Sequence, residues 1–486
     1  MRPPAHAPLT GSCSSTICAR MLARLIHGPP PGSRPAGTFT LEFDQTALYD
    51  VHGTAAASCE PSTLHMLSVL YTTLLYLLAP LALGTTALRG LRDPAYRDRL
   101  GERLGCTRVR FATPPIWVHA VSVGEVQAAA VLVRALRTRF PQYPLLITTA
   151  TPTGAQRVRA LFPNGVQHAY LPYDLPGAVR RFLDATRPAI AIVMEREIWP
   201  NLFAASKRRG IPILLASARM SARSAQRQRR YAGLFARALS GDVVVAAQTG
   251  ADAERYRAIG AEADHVYVTG NVKFDLEVPE DVRAAGHALR VARFAGRPVW
   301  IAGSTHAGEE DVLLEAHARA RARIPELLLV LVPRHPNRFA EVRSWLASRQ
   351  VCYASRAAQA PVEAQTSVLL VDTLGELLMF YAAADVAFVG GSLVPVGGHN
   401  LLEPAALARP ILVGPHNFNG PEIADLLLAA GAAVQVGSAH ELAASLVSLI
   451  PDEALRAEMG AKAQAIVAAN RGALERVMRL IEARLA

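Results

Sequence analysis

The stretch IWVHAVSVGEVQAAAVLVRALRTRFPQYPLLITTAT, residues 116–151, contains two short apolar runs with an amphipathic stretch between them. The runs IWVHAVS (116–122) and LLITTAT (145–151) are rich in β-branched residues, which is typical of strands in a sheet covered on both faces. Between them, Val131 and Ala135 recur at helical spacing. The stretch therefore predicts a strand, a helix and a second strand parallel to the first.

The same alternation continues to either side, and a looser, charged segment near 276–297 divides it into two series. A chain of 486 residues is also too long for one core, because single cores stop growing at about 250–300 residues. We therefore predict an α/β protein with two Rossmann-like, doubly wound domains and a cleft between them. The remaining predicted strands are 166–172, 189–195, 212–217, 243–248 and 265–270 in the first series, and 299–304, 327–333, 368–373, 386–391 and 410–415 in the second.

The start of the chain has a different character. Residues 1–65 are rich in Pro, Gly, Ser and Ala and show no sustained period, so we interpret them as a disordered or spurious extension. No charge occurs from Met66 to Leu88, a run long enough to cross a hydrocarbon core, and we predict a membrane anchor over 66–90. The Arg-rich sequence that follows predicts, by the positive-inside rule, that the domains stay in the cytoplasm. A signal peptide is the alternative, but it requires a small-residue cleavage site where Arg-rich, helix-like sequence continues instead.

The formal net charge of +11 favours acidic partners, which could be nucleic acid, anionic lipid or a phosphorylated substrate. Neither a Lys/Arg tract with interleaved aromatics nor a zinc-finger spacing is present, so the charge does not indicate a nucleic-acid-binding protein. The cysteines form no C-x-x-C pair, which argues against a disulfide framework and fits a reducing cytosol. They are Cys13, Cys18, Cys59, Cys106 and Cys352.

Carboxylates follow two predicted strands of the first series. Glu125 opens a helix directly after a strand, although Ser122 and Glu125 are also spaced as a capping box, in which the glutamate only accepts a backbone hydrogen bond. Glu195 and Glu197 stand at the end of another strand. Two carboxylates at a strand end often mark chemistry, yet Glu197 could also form a surface pair with Arg196 or Arg219.

Lys273 also follows a strand, at the apparent boundary between the two series. A solvated loop lysine is the default interpretation of a single lysine. Its position at the boundary makes a functional role worth considering.

In the second series, polar groups again follow the strands. Ser304 and Thr305 lie at a strand-to-helix turn, where an anion can bind and where a helix cap would use the same residues. Arg334 and His335 end the next strand and suit a phosphate or carboxylate ligand.

The segment 389–415, VGGSLVPVGGHNLLEPAALARPILVGP, is the most informative. Its two pairs of glycines allow the backbone to approach a ligand, and Asn400 with Glu403 opens a helix. A capping variant would explain these two side chains but not the glycines. We interpret the segment as a binding loop.

A series of short stretches occurs in order between Met66 and the C-terminus: LLYLLAP, AYRDRLGERLG, VSVGE, TTATPTG, YLPYDLP, MEREIWPN, ARMSARS, GNVKFD, STHAGEE, LVPRHP, GGSLVPVGGHNLLEPAA and GPHNFN. On these stretches the chain resembles the Kdo transferases of lipopolysaccharide synthesis, which are inverting glycosyltransferases of the GT-B fold. One departure is Arg196, where that family usually has Thr or Ser, and it concerns the hydrogen bonding around the acceptor. Residues 1–65 have no counterpart in the family.

The resemblance implies roles for individual residues. Glu125 would be the general base, and Glu195 and Lys273 would support the transition state. The implied contacts of CMP are Pro333 and Arg334, the turn formed by Leu374, Gly375 and Glu376, and the helix start formed by Asn400, Leu401, Leu402 and Glu403.

The implied reaction is transfer of Kdo from CMP-Kdo to a lipid A precursor, lipid IVA. The acceptor domain with the base would span 91–285 and the CMP-Kdo-binding domain 296–486, on the cytoplasmic side of the inner membrane. No cofactor or metal is expected, because CMP is a good leaving group and cationic groups with helix N-termini can neutralise its phosphate. An anionic, phosphorylated lipid acceptor would explain both the basic excess and the anchor.

Two alternatives remain open. A different GT-B enzyme, such as a nucleotide-sugar epimerase or another lipid glycosyltransferase, would share the architecture but would lack VSVGE and GGHNLLEPAA together. A catalytically silent, membrane-tethered binding module would keep the anchor and the glycine loops but would lose Glu125 or Lys273. Both residues are present.

Overall fold

A computed structural model describes residues 61–91, 93–276, 278–294 and 296–485. The chain divides into two units. The first contains the residues up to Asn271 together with 474–486, and the second contains Val272–Ala473. Residues 1–60, which make up most of the predicted extension, lie outside the described residues.

The first unit, as far as it is described, contains a seven-stranded parallel sheet in the order β3-β2-β1-β4-β5-β6-β7. Most strands are fully buried, as expected for a sheet with helices on both faces. The strands are β1 (Ile116–His119), β2 (Leu145–Thr149), β3 (Val166–Tyr170), β4 (Ile190–Met194), β5 (Ile213–Ala218), β6 (Val243–Ala247) and β7 (Val266–Val268).

Helices alternate with these strands, and several begin at the side-chain caps that the sequence offers. Thr151 and Thr249, for example, each accept a backbone N–H three residues on. The helices are α1 (Pro61–Arg89), α2 (Leu100–Arg103), α3 (Val123–Arg139), α4 (Pro152–Leu161), α5 (Pro176–Thr186), α6 (Pro200–Lys207), α7 (Ala222–Gln228), α8 (Ala232–Leu239) and α9 (Gly250–Ala258).

The second unit repeats the plan with a parallel sheet in the order β10-β11-β9-β8-β12-β13-β14, counted over its described residues. The strands are β8 (Val299–Thr305), β9 (Leu328–Pro333), β10 (Tyr353–Ser355), β11 (Val368–Leu370), β12 (Val386–Val389), β13 (Ile411–Val413) and β14 (Ala433–Gln435). The helices are α10 (Glu280–Phe294), α11 (Glu310–Arg321), α12 (Phe339–Ser348), α13 (Leu377–Ala383), α14 (Leu402–Ala406), α15 (Pro421–Ala429), α16 (Ala439–Leu449) and α17 (Glu453–Ala469).

Each of the twelve predicted strands overlaps a strand of the structure, and the prediction of two doubly wound domains is confirmed. The sequence analysis missed β10 and β14. Both have only three residues and lie at the two edges of the second sheet. Two of the three β14 residues are exposed, so this strand carries no continuous apolar run.

Helix α1 begins at Pro61, five residues before the predicted start at Met66. Over Met66–Arg89 it is long and apolar enough to cross a membrane, judged by length and composition. One side of it packs on the first unit, where Tyr71 and Leu75 contact Leu175 and Leu234. The Tyr71 hydroxyl donates a hydrogen bond to Asp174 at 2.9 Å. Helix α1 is thus tied to the first unit on one side and leaves its other side apolar and exposed.

The last helix, α18 (Ala473–Leu485), packs with the first unit although it follows the second in sequence. Its Val477 and Ile481 are fully buried. Glu475 and Glu482 both pair with Arg139 at the end of α3, at 2.9 and 2.6 Å. The chain therefore leaves the first unit once and returns to it.

Candidate active site

In the first unit, two of the predicted catalytic carboxylates follow neighbouring strands. The strand order reverses between β1 and β4, and such a switch point is where doubly wound sheets bind ligands, beyond the carboxyl ends of the strands. Glu125 lies in the first turn of α3, after β1, and Glu195 directly follows β4. The topology therefore brings these two residues to the position expected of a site.

Glu125 is half-buried and does form the local contacts of a cap. Its Oε2 accepts a hydrogen bond from the Val121 backbone N–H at 2.8 Å, and its own N–H donates to the Ser122 hydroxyl at 3.5 Å. One carboxylate oxygen is thus used by the backbone. The other remains available for chemistry, so the capping and catalytic interpretations are compatible.

Glu195 is buried and rigidly held. Its carboxylate accepts a hydrogen bond from Arg219 Nε at 3.0 Å, and its backbone oxygen accepts one from the Tyr256 hydroxyl at 3.2 Å. Its φ of 57° lies in the left-handed region, which non-glycine residues rarely adopt and which often marks functional sites. Arg219, considered from the sequence as a partner of Glu197, is therefore a partner of Glu195.

The carboxylates raise one another's proton affinity. Burial raises the pKa of Glu125 well above its usual value, and the charges of Glu197 and Glu195 raise it further, whereas the Val121 hydrogen bond and Arg196 lower it. Burial raises the pKa of Glu197 to about 7, against the lowering effect of Arg196. A carboxylate whose pKa is shifted toward neutrality is suited to accept a proton at physiological pH.

Arg196, the residue that departs from the family pattern, is exposed and sits between the two glutamates in sequence. Its charge acts on both Glu125 and Glu197. Lys273, the third predicted catalytic residue, is half-buried in the short helical turn Val272–Asp275, at the beginning of the second unit.

In the second unit the strand order reverses between β8 and β12. Glu309, which sequence reasoning missed, joins the loops that follow these strands. Its fully buried carboxylate accepts four backbone hydrogen bonds, at 2.7 to 3.0 Å. The donors are the N–H groups of His306, Gly391, Ser392 and Leu393. The sequence signal for Glu309 was its position in STHAGEE, just before a helix. That position does not reveal that three of its four hydrogen-bond donors lie more than 80 residues away.

The glycine pairs in this region are required by the packing of the loops themselves. A Cβ on Gly390 would lie 2.5 Å from the Ser304 backbone oxygen, and one on Gly398 would lie 2.7 Å from Asn417 Oδ1. Gly397 and Gly398 also have positive φ. The backbone of the predicted binding loop is thereby held close to the ends of the central strands.

Three imidazoles and one guanidinium gather at the same edge. His306 and His399 stack with their rings nearly parallel, and their Nε2 atoms are 2.8 Å apart, so one nitrogen donates to the other. His335 contacts His306 edge to face. Burial lowers the pKa of His306 to about 4 and that of His399 to about 3, and the nearby charge of Arg334 lowers both further. At neutral pH the group therefore presents neutral imidazoles beside the half-buried, cationic Arg334.

The structure places the other predicted donor residues at this carboxyl edge. Pro333 is the last residue of β9, and the Arg334 N–H donates to the Thr305 oxygen at 3.0 Å. In the turn before α13, Leu374 is exposed and Gly375 has a φ of 87°. Glu376 then pairs with Arg356 at 2.7 Å, which holds the pKa of this carboxyl below its usual value.

At the start of α14, Asn400 shapes the turn. Its Oδ1 accepts a hydrogen bond from the Leu402 N–H at 3.1 Å, and its Nδ2 donates to Glu403 at 3.1 Å. Leu401 and Leu402 are buried in the core of the unit, so a ligand can reach only their backbone. The capping contact that the sequence suggested for Asn400 and Glu403 is therefore present, as it is for Ser122 and Glu125.

Two tandem doubly wound units, one with carboxylates at its switch point and one with cationic and imidazole groups at its own, place the chain in the GT-B fold class. Within the described part of the chain, no group of three or more His, Cys, Asp or Glu side chains is placed to hold a metal ion.

Comparison with known proteins shows to which protein family this chain belongs. The family model for 3-deoxy-D-manno-octulosonic-acid transferase matches residues 98–276. A 3-deoxy-D-manno-octulosonic acid transferase of Haemophilus influenzae is 40% identical over 85% of this chain and 97% of its own length, and one of Bordetella pertussis is 42% identical over 78% and 90%. The solved C-terminal CMP-Kdo-binding domain of an Acinetobacter baumannii protein matches 38% of this chain and 97% of that domain, at 33% identity and a TM-score of 0.37. This chain belongs to the 3-deoxy-D-manno-octulosonic acid transferase family, which confirms the resemblance seen in its motifs.

Proposed function

We propose that the chain transfers Kdo from CMP-Kdo to a hydroxyl of a lipid A precursor, lipid IVA, in lipopolysaccharide synthesis, with inversion and without a metal ion. The observation that carries the proposal is the pair of carboxylates at the switch point of the first sheet, Glu125 after β1 and Glu195 after β4. A raised pKa at Glu125 supports its role as the base.

In this mechanism Glu125 removes the proton of the acceptor hydroxyl as the oxygen attacks the anomeric carbon of Kdo. The bond to CMP breaks as the new bond forms, through an oxocarbenium-like transition state. Glu195, held by Arg219, keeps a negative charge near the positive centre that develops. Lys273 adds a cationic group that supports the transition state.

The donor residues belong to the second unit. Arg334, beside three imidazoles, can neutralise the phosphate of the departing CMP, and the neutral imidazoles can donate further hydrogen bonds. Pro333, the turn at Gly375 and the backbone at the start of α14 complete the proposed nucleotide contacts. CMP is already a good leaving group, so no acid catalyst is required.

The proposed location is the cytoplasmic face of the inner membrane. Helix α1 supplies an apolar segment of sufficient length, and Arg-rich sequence follows it. An anionic lipid acceptor in the same membrane is consistent with the net charge of +11.

The test uses protein beginning at Met66, purified in detergent, with CMP-Kdo and a tetra-acylated lipid A precursor. Mass spectrometry of the product should show added Kdo. Glu125→Gln keeps an oxygen for the Val121 hydrogen bond but removes the base, so we expect turnover to fall by about 10² to 10⁴-fold.

Ser122→Ala is the matched control, because it removes the cap and leaves the carboxylate. It should lower stability by about 1 kcal/mol and preserve most of the turnover. Wild-type turnover of Glu125→Gln, or the absence of CMP binding, would contradict the proposal.

A further inference from the structure

The second unit contains a basic cavity at the amino edge of its sheet, opposite the edge that carries the proposed donor residues. Asp385 directly precedes β12, and Arg409 lies two residues before β13. Since β12 has four residues and a strand rises by about 3.3 Å per residue, about 13 Å of sheet separates the two edges. The cavity is therefore distinct from the donor residues.

The cavity has a volume of about 290 Å³, sufficient for a phosphate group with some water. Three guanidinium groups and one imidazole line it, with one carboxylate. The polar residues are Arg283, His287, Arg290, Asp385 and Arg409. Three cationic groups against one anionic group leave an excess of positive charge in a concave surface.

Two of the arginines lie on α10 and are held in place by residues outside that helix. Arg283 donates to the Ala406 oxygen at 2.7 Å, and Arg290 donates to the Ala383 oxygen at 2.8 Å and pairs with Asp385 at 3.0 Å. Gly286, between them in sequence, allows α10 to pack closely on α13, because a Cβ there would lie 2.5 Å from the Ala382 Cβ. These contacts orient both guanidinium groups before any ligand binds.

Arg409 is the third arginine of the cavity, and the contacts of its side chain are incomplete. Its Nε is buried and has no hydrogen-bond partner among the described residues. A buried, unpaired N–H of a charged group is costly and is rare in folded proteins. The preceding residue, Ala408, has a φ of 55°, and its oxygen would lie 2.1 Å from a Cβ on Gly460, so tight packing fixes the backbone that presents Arg409. Arg409 lines the cavity, so an anion bound there would lie against its guanidinium group and compensate its charge.

We propose that this cavity binds a phosphate group, which could belong to a free phosphate or to a lipid headgroup, at a site separate from that of the sugar donor. Guanidinium groups match phosphate oxygens in geometry and charge. The proposal does not depend on the identity of the transferred sugar.

Isothermal titration of the detergent-solubilised protein with inorganic phosphate, in a phosphate-free buffer, tests it. We expect saturable binding that CMP does not displace. Arg409→Gln should weaken the phosphate affinity at least about tenfold and leave the affinity for CMP unchanged, which also shows that the second unit is folded. Arg283→Gln is a second variant with the same expected result, and the exposed Arg323→Gln on the same unit is the matched control.

A parallel measurement uses phosphatidylcholine vesicles with and without phosphatidylglycerol. If free phosphate does not saturate the protein but Arg409→Gln, unlike Arg323→Gln, loses at least about tenfold in affinity for the anionic vesicles, the phosphate belongs to a lipid headgroup. Equal affinities of wild type and Arg409→Gln for both probes, or displacement of phosphate by CMP, would overturn the proposal.

Discussion

At the scale of single residues, the charges around Glu125 act in opposite directions. Glu197 raises the pKa of Glu125, and Arg196 lowers it. A general base must be ionised, so activity should rise with pH through the pKa of Glu125. With Glu125 as the proposed base, Arg196 is therefore expected to extend activity toward lower pH.

This argument predicts opposite shifts for two variants. Glu197→Gln removes a neighbouring negative charge, so the acidic limb of kcat/KM against pH should move to lower pH. Arg196→Ser removes a positive charge, so the limb should move to higher pH. The exposed Arg208→Ser serves as a control and should leave the profile unchanged. Shifts in the same direction for both variants would contradict the assignment of Glu125 as the base.

Glu309 acts at the residue scale by holding loops together. In Glu309→Gln, an amide NH2 would replace an oxygen that now accepts backbone N–H groups. These N–H groups would then face another donor and lose their hydrogen-bond acceptor. We expect the affinity for CMP to fall about tenfold or more, as measured by calorimetric titration. Glu315→Gln changes an exposed residue of α11 and should have little effect. An unchanged CMP affinity in Glu309→Gln would show that these loops do not form the nucleotide site.

At the scale of elements, α1 has two different sides. Tyr71 and Leu75 pack on the first unit, whereas Leu70 and Leu77 are 64% and 72% exposed. A helix of a soluble core would not leave such side chains in water, and an exposed apolar surface of this kind indicates an interaction surface. The proposed membrane location assigns this side to lipid.

Leu70→Asp and Leu77→Asp should therefore weaken binding to lipid vesicles without unfolding the protein. An aspartate at the centre of a membrane helix costs about 3 kcal/mol on the insertion scale, which corresponds to more than about a hundredfold. Co-sedimentation with vesicles measures the effect, and Leu426→Asp, at an exposed leucine of α15, is the control. If the α1 variants sediment as the wild type does, α1 does not insert.

At the scale of the whole molecule, α18 joins the end of the chain to the first unit. Its pairs with Arg139 are partly exposed and contribute little. The fully buried Val477, Met478 and Ile481 contribute most of its stabilisation. The stability of the first unit thus depends on residues more than 200 positions away in sequence.

Ile481→Ala should destabilise the first unit by about 2–5 kcal/mol. Hydrogen exchange followed by mass spectrometry should show faster exchange in β1 to β7. Leu427→Ala, a comparable truncation in α15, should speed exchange in β8 to β14 instead. Faster exchange of the second sheet alone in Ile481→Ala would contradict the assignment of α18.

Sequence alone was sufficient for the elements and the family. Buried parallel strands are continuous apolar runs, and this local signal located all but the two short edge strands. The motifs also showed that Glu125, Glu195 and Arg334 follow strands, and because every carboxyl end of a parallel sheet lies at the same edge, each residue could be assigned to that edge of its own sheet.

Only the tertiary structure decided which strands are neighbours and which side chains pair. The order of strands, and with it the two switch points, depends on crossovers that leave no periodic pattern. The pairing of Arg219 with Glu195, three of the four N–H groups around Glu309 and the return of α18 join residues distant in sequence. Local periodicity reports on whether a residue is buried, whereas these contacts depend on what it is buried against.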